Sequence, residues 1–197
     1  MFLKSEQPLI LASTSAYRRE LLGRLGLPFG VQTPDIDESW RPGEHPTALV
    51  GRLALAKARK VSSGTPGAWV IGSDQIAVRD KDILGKPLER QRCIEQLSAS
   101  SGQRLEFLTA VALVKSGPSQ EFQVVDSTWV TFRTLDRPSI ERYVDREQPF
   151  DCAGGFKCEG LGISLFDSIE TLDPTALIGL PLIALSRLLR KAGYPVP

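Results

Sequence analysis

Apolar positions along this 197-residue chain alternate between short continuous runs and helical spacing. A short apolar run predicts a strand buried on both faces, and apolar residues three to four positions apart predict one face of a helix. In the first part of the chain these patterns predict a strand at 9–12, a helix at 17–25, a strand at 29–33, a helix at 47–61 and a strand at 69–72. This alternation of strand and helix is typical of an α/β fold.

The later part of the chain follows a different pattern, in which long strands dominate. It predicts a helix at 88–97, strands at 105–114 and 122–132, a short helix at 139–144 capped by Ser139, a strand at 163–166 and a final helix at 181–191. Turn-forming residues at 115–119 separate the two long strands and indicate a hairpin. We therefore expect one α/β domain, residues 1–197, with two lobes and a cleft between them.

The composition restricts the classes of protein to which the chain could belong. Apolar residues make up 42% and charged residues 24% of the chain, which is typical of globular proteins. The formal net charge is only +1, whereas proteins that bind duplex nucleic acid usually carry a clear basic excess. The apolar run near the N-terminus is too short for a signal peptide or a membrane span. These features predict a cytoplasmic protein that binds neither nucleic acid nor membranes.

Cysteine and histidine are scarce, and this narrows the possible chemistry. The three cysteines, Cys93, Cys152 and Cys158, form no CxxC pair and have no histidine nearby, so we expect reduced thiols rather than a zinc site. The single histidine, His45, excludes metal sites with several histidines, and no GxSxG sequence of a serine hydrolase is present. Any catalysis must therefore depend on carboxylates, lysine, arginine and hydroxyl groups.

A candidate phosphate-binding segment follows the first predicted strand. Ser13 and two further hydroxyl residues precede a helix whose first turn carries Arg18 and Arg19. Positive side chains at a helix N-terminus oppose the helix dipole, at a cost of about 0.3–1 kcal/mol each, unless an anion lies in front of them. Free amides, hydroxyls and two guanidinium groups suit a phosphate. The alternative is that both arginines are ordinary solvated residues, and no GxxxxGK(S/T) sequence is present.

A second candidate is Asp74, which interrupts a strand that is otherwise apolar. A buried carboxylate needs a hydrogen-bonding, charged or metal partner, although an aspartate that caps a turn would give the same pattern. Three further carboxylates, Asp35, Asp37 and Glu38, lie in one loop. Carboxylates are the ligands that Mg²⁺ and Mn²⁺ prefer, and the alternative is that these three are solvated loop residues.

Two lysines and one glycine-rich segment complete the candidate chemistry. Lys57 lies among apolar residues of a predicted helix, and Lys86 lies between a glycine and a proline, which favour an extended backbone close to a ligand. Either lysine could instead be an ordinary surface residue. Residues 154–160 supply a flexible backbone, the ring of Phe156 and the carboxylate of Glu159. That combination suits a nucleobase, and a surface loop without function is the alternative.

Taken in order, these segments resemble the Maf family of nucleotide pyrophosphatases. The segments are LILASTSAYRRELL at 9–22, DE at 37–38, LALAKA at 53–58, IGSDQ at 71–75, GKP at 85–87, CAGGFKCEG at 152–160 and GLPL at 179–182. Each is weak alone, but together they cover nearly the whole chain. Ala16 departs from the family, which usually has a proline there that presets the first helical turn. The resemblance implies a mixed, elongated sheet with flanking helices and two lobes around a cleft, and a homodimer.

The chain is similar to the subgroup of this family that hydrolyses 7-methyl-GTP. The resemblance implies that Tyr17, Gln75 and Glu159 select the substrate and that Phe156 contacts the base. Tyr17 departs mildly, because tryptophan is the familiar residue there. Methylation leaves the guanine cationic, which favours an aromatic face and a nearby carboxylate.

The resemblance also implies a mechanism for a small-molecule nucleotide substrate. Water attacks the α-phosphorus with Asp74 as the general base, and the products are the monophosphate and diphosphate. A divalent cation, Mg²⁺ or Mn²⁺, is held by Glu38 and Asp74. The phosphates are bound by Ser13, Arg18, Arg19, Lys57 and Lys86.

Three alternatives remain open at this point. The first is a related pyrophosphatase that acts on other nucleoside triphosphates, such as ITP. The second is a nucleotide-binding regulator of cell division that acts through a partner protein. The third is a small module that binds the RNA cap, although the set of lysines and arginines exceeds what cap binding needs.

Overall fold

The computed structural model describes residues 7–80, 82–116 and 120–197. The strands are β1 (Leu9–Ala12), β2 (Gly30–Gln32), β3 (Trp69–Arg79), β4 (Asp82–Leu84), β5 (Arg104–Lys115), β6 (Gln120–Phe132) and β7 (Phe166–Glu170). The α-helices are α1 (Ala16–Gly23), α2 (Pro46–Ser62), α3 (Arg90–Ser100), α4 (Arg137–Glu147) and α5 (Leu182–Lys191). Short 3₁₀ helices cover Ala153–Gly155, Leu161–Leu165 and Ala176–Ile178. Among the described residues, no helix combines the length and apolar character that a bilayer crossing requires.

The strands form one mixed sheet. Their order is β2-β1-β3-β5-β6-β7, with β4 paired to β3. β1 runs parallel to β2 and β3, whereas β3 and β4, and likewise β6 and β7, are antiparallel. Every residue of β1 is buried, as its continuous apolar sequence predicts. The predicted α/β class with a mixed sheet is therefore confirmed.

The chain divides into two compact units, and each is built from several chain segments. Unit 1 comprises Met1–Asp74, Thr109–Asp126 and Asp173–Pro197. Its core joins β1, α1, β3 and α5 through buried apolar side chains, among them Leu11, Leu22, Ile71 and Leu185. Burial of each such side chain contributes about 1.5–3 kcal/mol, so this core fixes the strands that carry the candidate residues.

Unit 2 comprises Gln75–Leu108 and Ser127–Leu172. Helices α3 and α4 pack against each other, and Arg90 of α3 pairs with Asp145 of α4 at 2.6 Å. A cluster of four phenylalanine rings in edge-to-face contact forms part of the core, namely Phe107, Phe132, Phe156 and Phe166. The expectation of a single domain with a cleft stays a prediction.

Three local predictions differ from the structure. The cap of α4 is Asp136, whose carboxylate accepts from the Ser139 amide at 2.7 Å, so the prediction of Ser139 as the cap is wrong. The predicted strand at 163–166 is mostly the 3₁₀ helix Leu161–Leu165, because a Cβ at Gly162 would overlap the carbonyl of Lys157 and glycine lets the chain fold back there. Finally, β3 ends at Arg79 and not at residue 72, and Asp74 lies inside it, as the prediction of a carboxylate within an apolar strand implied.

The predicted hairpin is supported in part. β5 and β6 are neighbours in the sheet, as the two long apolar segments indicated. Of the predicted turn at 115–119, residues 117–119 lie outside the described residues. The last helix ends as predicted, since Gly193 follows α5 with a φ of +87°, which glycine adopts readily.

Candidate active site

The parallel pairing of β1 and β3 places the predicted phosphate segment beside the predicted catalytic aspartate. Ala12 at the end of β1 is in register with Gly72 of β3. Ser13 and Asp74 follow this pair by one and two residues, and parallel strands direct their carboxyl ends to the same edge of a sheet. Both residues are buried, with 4% and 6% of their surface exposed. Two residues far apart in the sequence thereby lie just beyond the last paired residues of β1 and β3.

The residues after β1 form a tight entry into α1. The Ser13 hydroxyl accepts a hydrogen bond from the Ser15 amide at 3.1 Å. Ser15 in turn caps α1, since its hydroxyl accepts from the Arg18 amide at 3.4 Å. Hydroxyl caps satisfy amides that a helix N-terminus leaves unpaired, so the local sequence accounts for this turn.

Helix α2 lies directly against β3, and Gly72 permits this close approach. A Cβ at Gly72 would overlap the backbone oxygen of Ala54 and would lie 2.7 Å from the amide nitrogen of Ala58. Only glycine therefore allows the backbone of α2 to approach the strand so closely. Lys57 lies between these two α2 residues, and the approach carries its side chain to Asp74.

Lys57 is the centre of a buried charge cluster. Its Nζ atom lies 2.6 Å from Oδ1 of Asp74 and 2.9 Å from Oε1 of Glu38. The side chains of Lys57 and Asp74 are only 7% and 9% exposed, whereas that of Glu38 is 58% exposed. Desolvation of a charge costs several kcal/mol, so the buried lysine and aspartate depend on each other. The structure therefore brings together three of the residues that the sequence predicted to act together.

Arg18 completes the cluster in unit 1. Its Nε atom donates to the carbonyl oxygen of Gly179 at 2.9 Å. Burial lowers the pKa of Arg18, while the negative charges of Asp74 and Glu38 act in the opposite direction and raise it. Arg18 therefore shares the electrostatic environment of the two carboxylates. A half-buried cation in this position suits an anionic ligand such as a phosphate.

A backbone carbonyl that the sequence prediction did not include orients this cluster. The Gly179 oxygen accepts from Arg18 and also from the Ser73 hydroxyl, the latter at 2.9 Å. Ser73 is fully buried and donates also to the Ala110 carbonyl at 2.8 Å. Gly179 has a φ of +123°, a conformation that L side chains rarely adopt. The GLPL segment, residues 179–182, thus contributes a backbone carbonyl to the site. Its side chains gave no indication of this contact.

The loop that carries Glu38, residues 33–45, is fixed by a residue that the sequence analysis missed. Arg52 of α2 binds Glu44 through Nε at 2.6 Å and through Nη2 at 2.7 Å. The same Nη2 donates to the carbonyl oxygen of Ser39 at 2.9 Å. A bidentate guanidinium–carboxylate pair fixes direction as well as distance. Arg52 therefore holds the loop on α2. In the sequence, the only indication of this role was that Arg52 lies five residues before Lys57 on the same predicted helix.

The remaining predicted site residues lie on α1 and in unit 2. Tyr17 is half-buried and Arg19 is exposed, both on α1 in unit 1. Gln75, Lys86 and Glu159 belong to unit 2, where Gln75 is half-buried and the other two are exposed. Their roles in binding the phosphates and selecting the base stay predictions.

The ring of Phe156, which the resemblance predicts to contact the base, lies in the core of unit 2. Its ring is 5% exposed and makes edge-to-face contacts with Phe107, Phe132 and Phe166, at centroid distances of 5.2, 5.7 and 4.8 Å. Gly154 precedes it with a φ of +79°, and a Cβ there would crowd the Phe107 ring. The glycine-rich segment thus turns the ring into the core of unit 2. Phe156 therefore packs in this core, and its contact with a base stays a prediction.

The thiols of Cys93 and Cys158 are less acidic than an ordinary cysteine thiol. Burial raises the pKa of Cys93 to about 11, and burial together with the charge of Glu159 raises that of Cys158 to about 12. Both are therefore protonated thiols near neutral pH and poor nucleophiles.

Within residues 7–80, 82–116 and 120–197, no group of three histidine, cysteine or acidic side chains is arranged to hold a metal ion. The predicted metal ligands Glu38 and Asp74 form a set of two.

Known proteins resemble this chain over nearly its full length. The family model described as Maf-like protein matches residues 8–192. A protein of Xanthomonas axonopodis pv. citri (strain 306), described as 7-methyl-GTP pyrophosphatase, is 58% identical over 189 residues, which cover 96% of this chain and 98% of the relative. A protein of Nitrosococcus oceani with the same description is 52% identical over 198 residues, with full coverage of both chains. A third, from Pseudomonas syringae pv. tomato, is 55% identical over 190 residues and covers 96% and 98%.

A solved structure is more distant. The Ham1 protein of Staphylococcus aureus has a TM-score of 0.45 and 12% identity, with coverage of 95% of this chain and 98% of that chain. A likeness at this level carries no conclusion about the fold or the chemistry. The family model and the full-length relatives are sufficient, and on their evidence this chain belongs to the Maf-like protein family.

Proposed function

We propose that this protein hydrolyses 7-methyl-GTP to 7-methyl-GMP and diphosphate. Three relatives that match at least 96% of the chain at 52% identity or more are described as 7-methyl-GTP pyrophosphatases. The structural observation that carries the proposal is the buried carboxylate of Asp74, 2.6 Å from the Lys57 ammonium and close to Arg18. Hydrolysis of a phosphoanhydride needs a base and cations close together.

In the proposed reaction Asp74 acts as the general base. A water oxygen forms a bond to the α-phosphorus, the bond from that phosphorus to the bridging oxygen breaks, and diphosphate leaves with the electron pair. Asp74 accepts the proton that the water loses. The hydrogen bond from Lys57 to Oδ1 of Asp74 orients the carboxylate for this step. Such orientation contributes to rate because the reacting atoms need not be repositioned.

The positive side chains of unit 1 stabilise the charge that develops on the phosphates. Arg18 is fixed by the Gly179 carbonyl, and Ser13 and the N-terminus of α1 supply hydroxyl and amide groups. Fixed donors directed at developing charge are usually a large part of catalysis. The exposed Arg19 lies next to Arg18 on α1 and is proposed to bind the outer phosphates.

The donor set of Glu38 and Asp74 fits a divalent metal ion. Both carboxylates lie beside Nζ of Lys57, at 2.9 and 2.6 Å, and each has a second oxygen atom besides the one that Lys57 contacts. Mg²⁺ is commonly bound by one or two carboxylates together with substrate phosphates and water. When bound, such an ion neutralises phosphate charge. We propose that Glu38 and Asp74 hold Mg²⁺ or Mn²⁺ in this way.

One panel of assays tests the proposed function. Diphosphate release is measured from 7-methyl-GTP, GTP, ITP and UTP with Mg²⁺, with Mn²⁺ and with a chelator. We expect 7-methyl-GTP to be hydrolysed much faster than GTP, and only with a metal ion. Preference for ITP or UTP would assign the protein to a related pyrophosphatase. Binding of nucleotide without any turnover would support a regulator or a cap-binding module instead. Full activity with the chelator would remove the metal from the proposal.

A further inference from the structure

The arginines of unit 2 differ in whether they form ion pairs. Several bind acidic side chains at 2.6–3.0 Å, namely Arg90, Arg104 and Arg137. In the part of the chain that the structure describes, Arg133, Arg142 and Arg146 form no ion pair. The proposed hydrolysis uses none of these three residues.

All three unpaired arginines line one cavity of about 420 Å³. Arg142 and Arg146 are four residues apart on α4 and so lie on the same face of the helix. Arg133 follows the end of β6 and enters the cavity from a different element. The hydroxyl residues Ser139 and Ser164 line it as well. Cationic and hydroxyl groups from separate parts of unit 2 therefore converge on one cavity.

Two carboxylates lie near these arginines. Asp145 lines the cavity but is bound by Arg90 through two hydrogen bonds of 2.6 and 3.0 Å. Asp136 accepts from the Ser139 amide as the cap of α4. Hydrogen bonds from Ser139, followed by the charges of Arg142 and Arg133, lower the pKa of Asp136, which shows that these guanidinium groups lie near it. Asp145 is thus paired with Arg90, whereas Asp136 keeps its negative charge, so the three arginines leave a positive excess at the cavity.

The hydrogen bonds that the arginines do make orient them without removing their charge. Arg133 donates from Nε to the carbonyl oxygen of Ser164 at 2.9 Å. Arg142 donates from Nη2 to the hydroxyl of Ser139 at 2.8 Å. Both acceptors are neutral, so these hydrogen bonds leave the positive charges of the arginines in place, and the guanidinium groups have further N–H donors. Guanidinium groups in such an arrangement match the oxygens of a phosphate, which can accept two parallel hydrogen bonds from each.

We propose that this cavity is a second binding site, for a small molecule that carries a phosphate group. The cavity exceeds the size of phosphate itself and lies within the range of about 300–1,000 Å³ that small-molecule sites occupy. Leu161 and Tyr143 line it beside the arginines and offer apolar contact for the rest of such a molecule. Inorganic phosphate and a nucleoside monophosphate share the required chemistry, and the experiment distinguishes them.

The test follows the arginine side chains themselves. Full-length ¹⁵N-labelled protein is titrated with inorganic phosphate and separately with GMP at constant ionic strength, and the Nε–H signals of arginine are recorded by NMR. Arg142→Gln and Arg146→Gln, each singly, assign two of these signals by their loss. We expect both signals to shift and to saturate. If GMP binds more tightly than inorganic phosphate, the ligand is a nucleotide. If the two bind with equal affinity, the site recognises the phosphate group alone.

Matched variants decide whether the cavity is responsible. The double variant Arg142→Gln, Arg146→Gln should lower the affinity at least about tenfold, as expected for the loss of charge-assisted hydrogen bonds. Arg137→Gln removes the same charge from the same helix outside the cavity and should change the affinity less than twofold. Because Arg146 is exposed, its single variant tests the idea even if the double variant unfolds. Shifts that do not saturate by about 10 mM, or equal affinities in the Arg137 and Arg146 variants, would overturn the proposal.

Discussion

In unit 1 the ammonium group of Lys57 lies buried against the carboxylates of Glu38 and Asp74, whereas in unit 2 the guanidinium groups of Arg142 and Arg146 are exposed. A buried cation requires a paired negative charge, because its desolvation costs several kcal/mol. An exposed cation keeps its water and needs no such partner. The paired arrangement fixes atoms in position, as a reaction requires, while the exposed one attracts anions and holds them less firmly.

The comparison predicts that the largest effect comes from Asp74. Asp74→Asn should reduce turnover of 7-methyl-GTP by about 10²–10⁴, because an amide cannot take the proton from the attacking water. The asparagine oxygen can still accept from Lys57, and Glu38 still supplies a negative charge, so the fold should persist. Diphosphate release and a thermal melt check the two statements. Turnover above about a third of the wild-type value would show that Asp74 is not the base.

Removal of the Lys57 ammonium group, which contacts the carboxylates of Glu38 and Asp74, should lower the free energy of unfolding. Lys57→Met leaves Asp74 buried without its ammonium partner, and breaking a buried pair typically costs about 3–5 kcal/mol. Lys60→Met is the matched control, since Lys60 is exposed on the same helix and its loss should change stability by less than about 0.5 kcal/mol. Urea denaturation of both variants measures the difference. Equal stabilities would mean that the buried pair is not needed for folding.

A smaller effect on turnover is expected for Arg52, whose ion pair with Glu44 positions Glu38 through the loop 33–45. Arg52→Lys keeps the charge but loses the bidentate contact with Glu44, so Glu38 should be positioned less well and turnover should fall about tenfold. Arg59→Lys makes the same change on the same helix in the pair with Glu121, away from the cluster, and should leave turnover unchanged. Steady-state kinetics of the two variants at saturating metal ion compare them. Identical kinetics would remove Arg52 from a positioning role.

The smallest effect should come from an exposed charge of unit 2. If Glu159 favours the cationic base, Glu159→Gln should narrow the preference for 7-methyl-GTP over GTP. Glu159 is exposed, so a loss of about 1 kcal/mol or less, up to roughly fivefold, is expected. Asp151→Asn controls for loss of a charge near the same segment. The ratio of kcat/KM for the two substrates is the measurement, and an unchanged ratio would leave Glu159 without a role in base selection.

The sequence by itself determined the elements and the principal residues of the candidate site. Local apolar patterns predicted β1, α1, α2 and β3, because burial and helical spacing follow from neighbouring residues. Glu38, Lys57 and Asp74 could be predicted as a group because they lie in segments whose order resembles a known family. Cap and strand boundaries were less certain, as Asp136 shows, since several nearby side chains can bind the same helix amide.

Only the tertiary structure decided which residues meet. Lys57 reaches Asp74, 17 positions away, because Gly72 has no side chain and lets α2 lie against β3. Arg52 gains its role from a loop that folds back onto the same helix. Phe156 is a core residue because the positive φ of Gly154 turns its ring inward. No local pattern carries this information, since each contact depends on how closely distant backbone segments can approach one another.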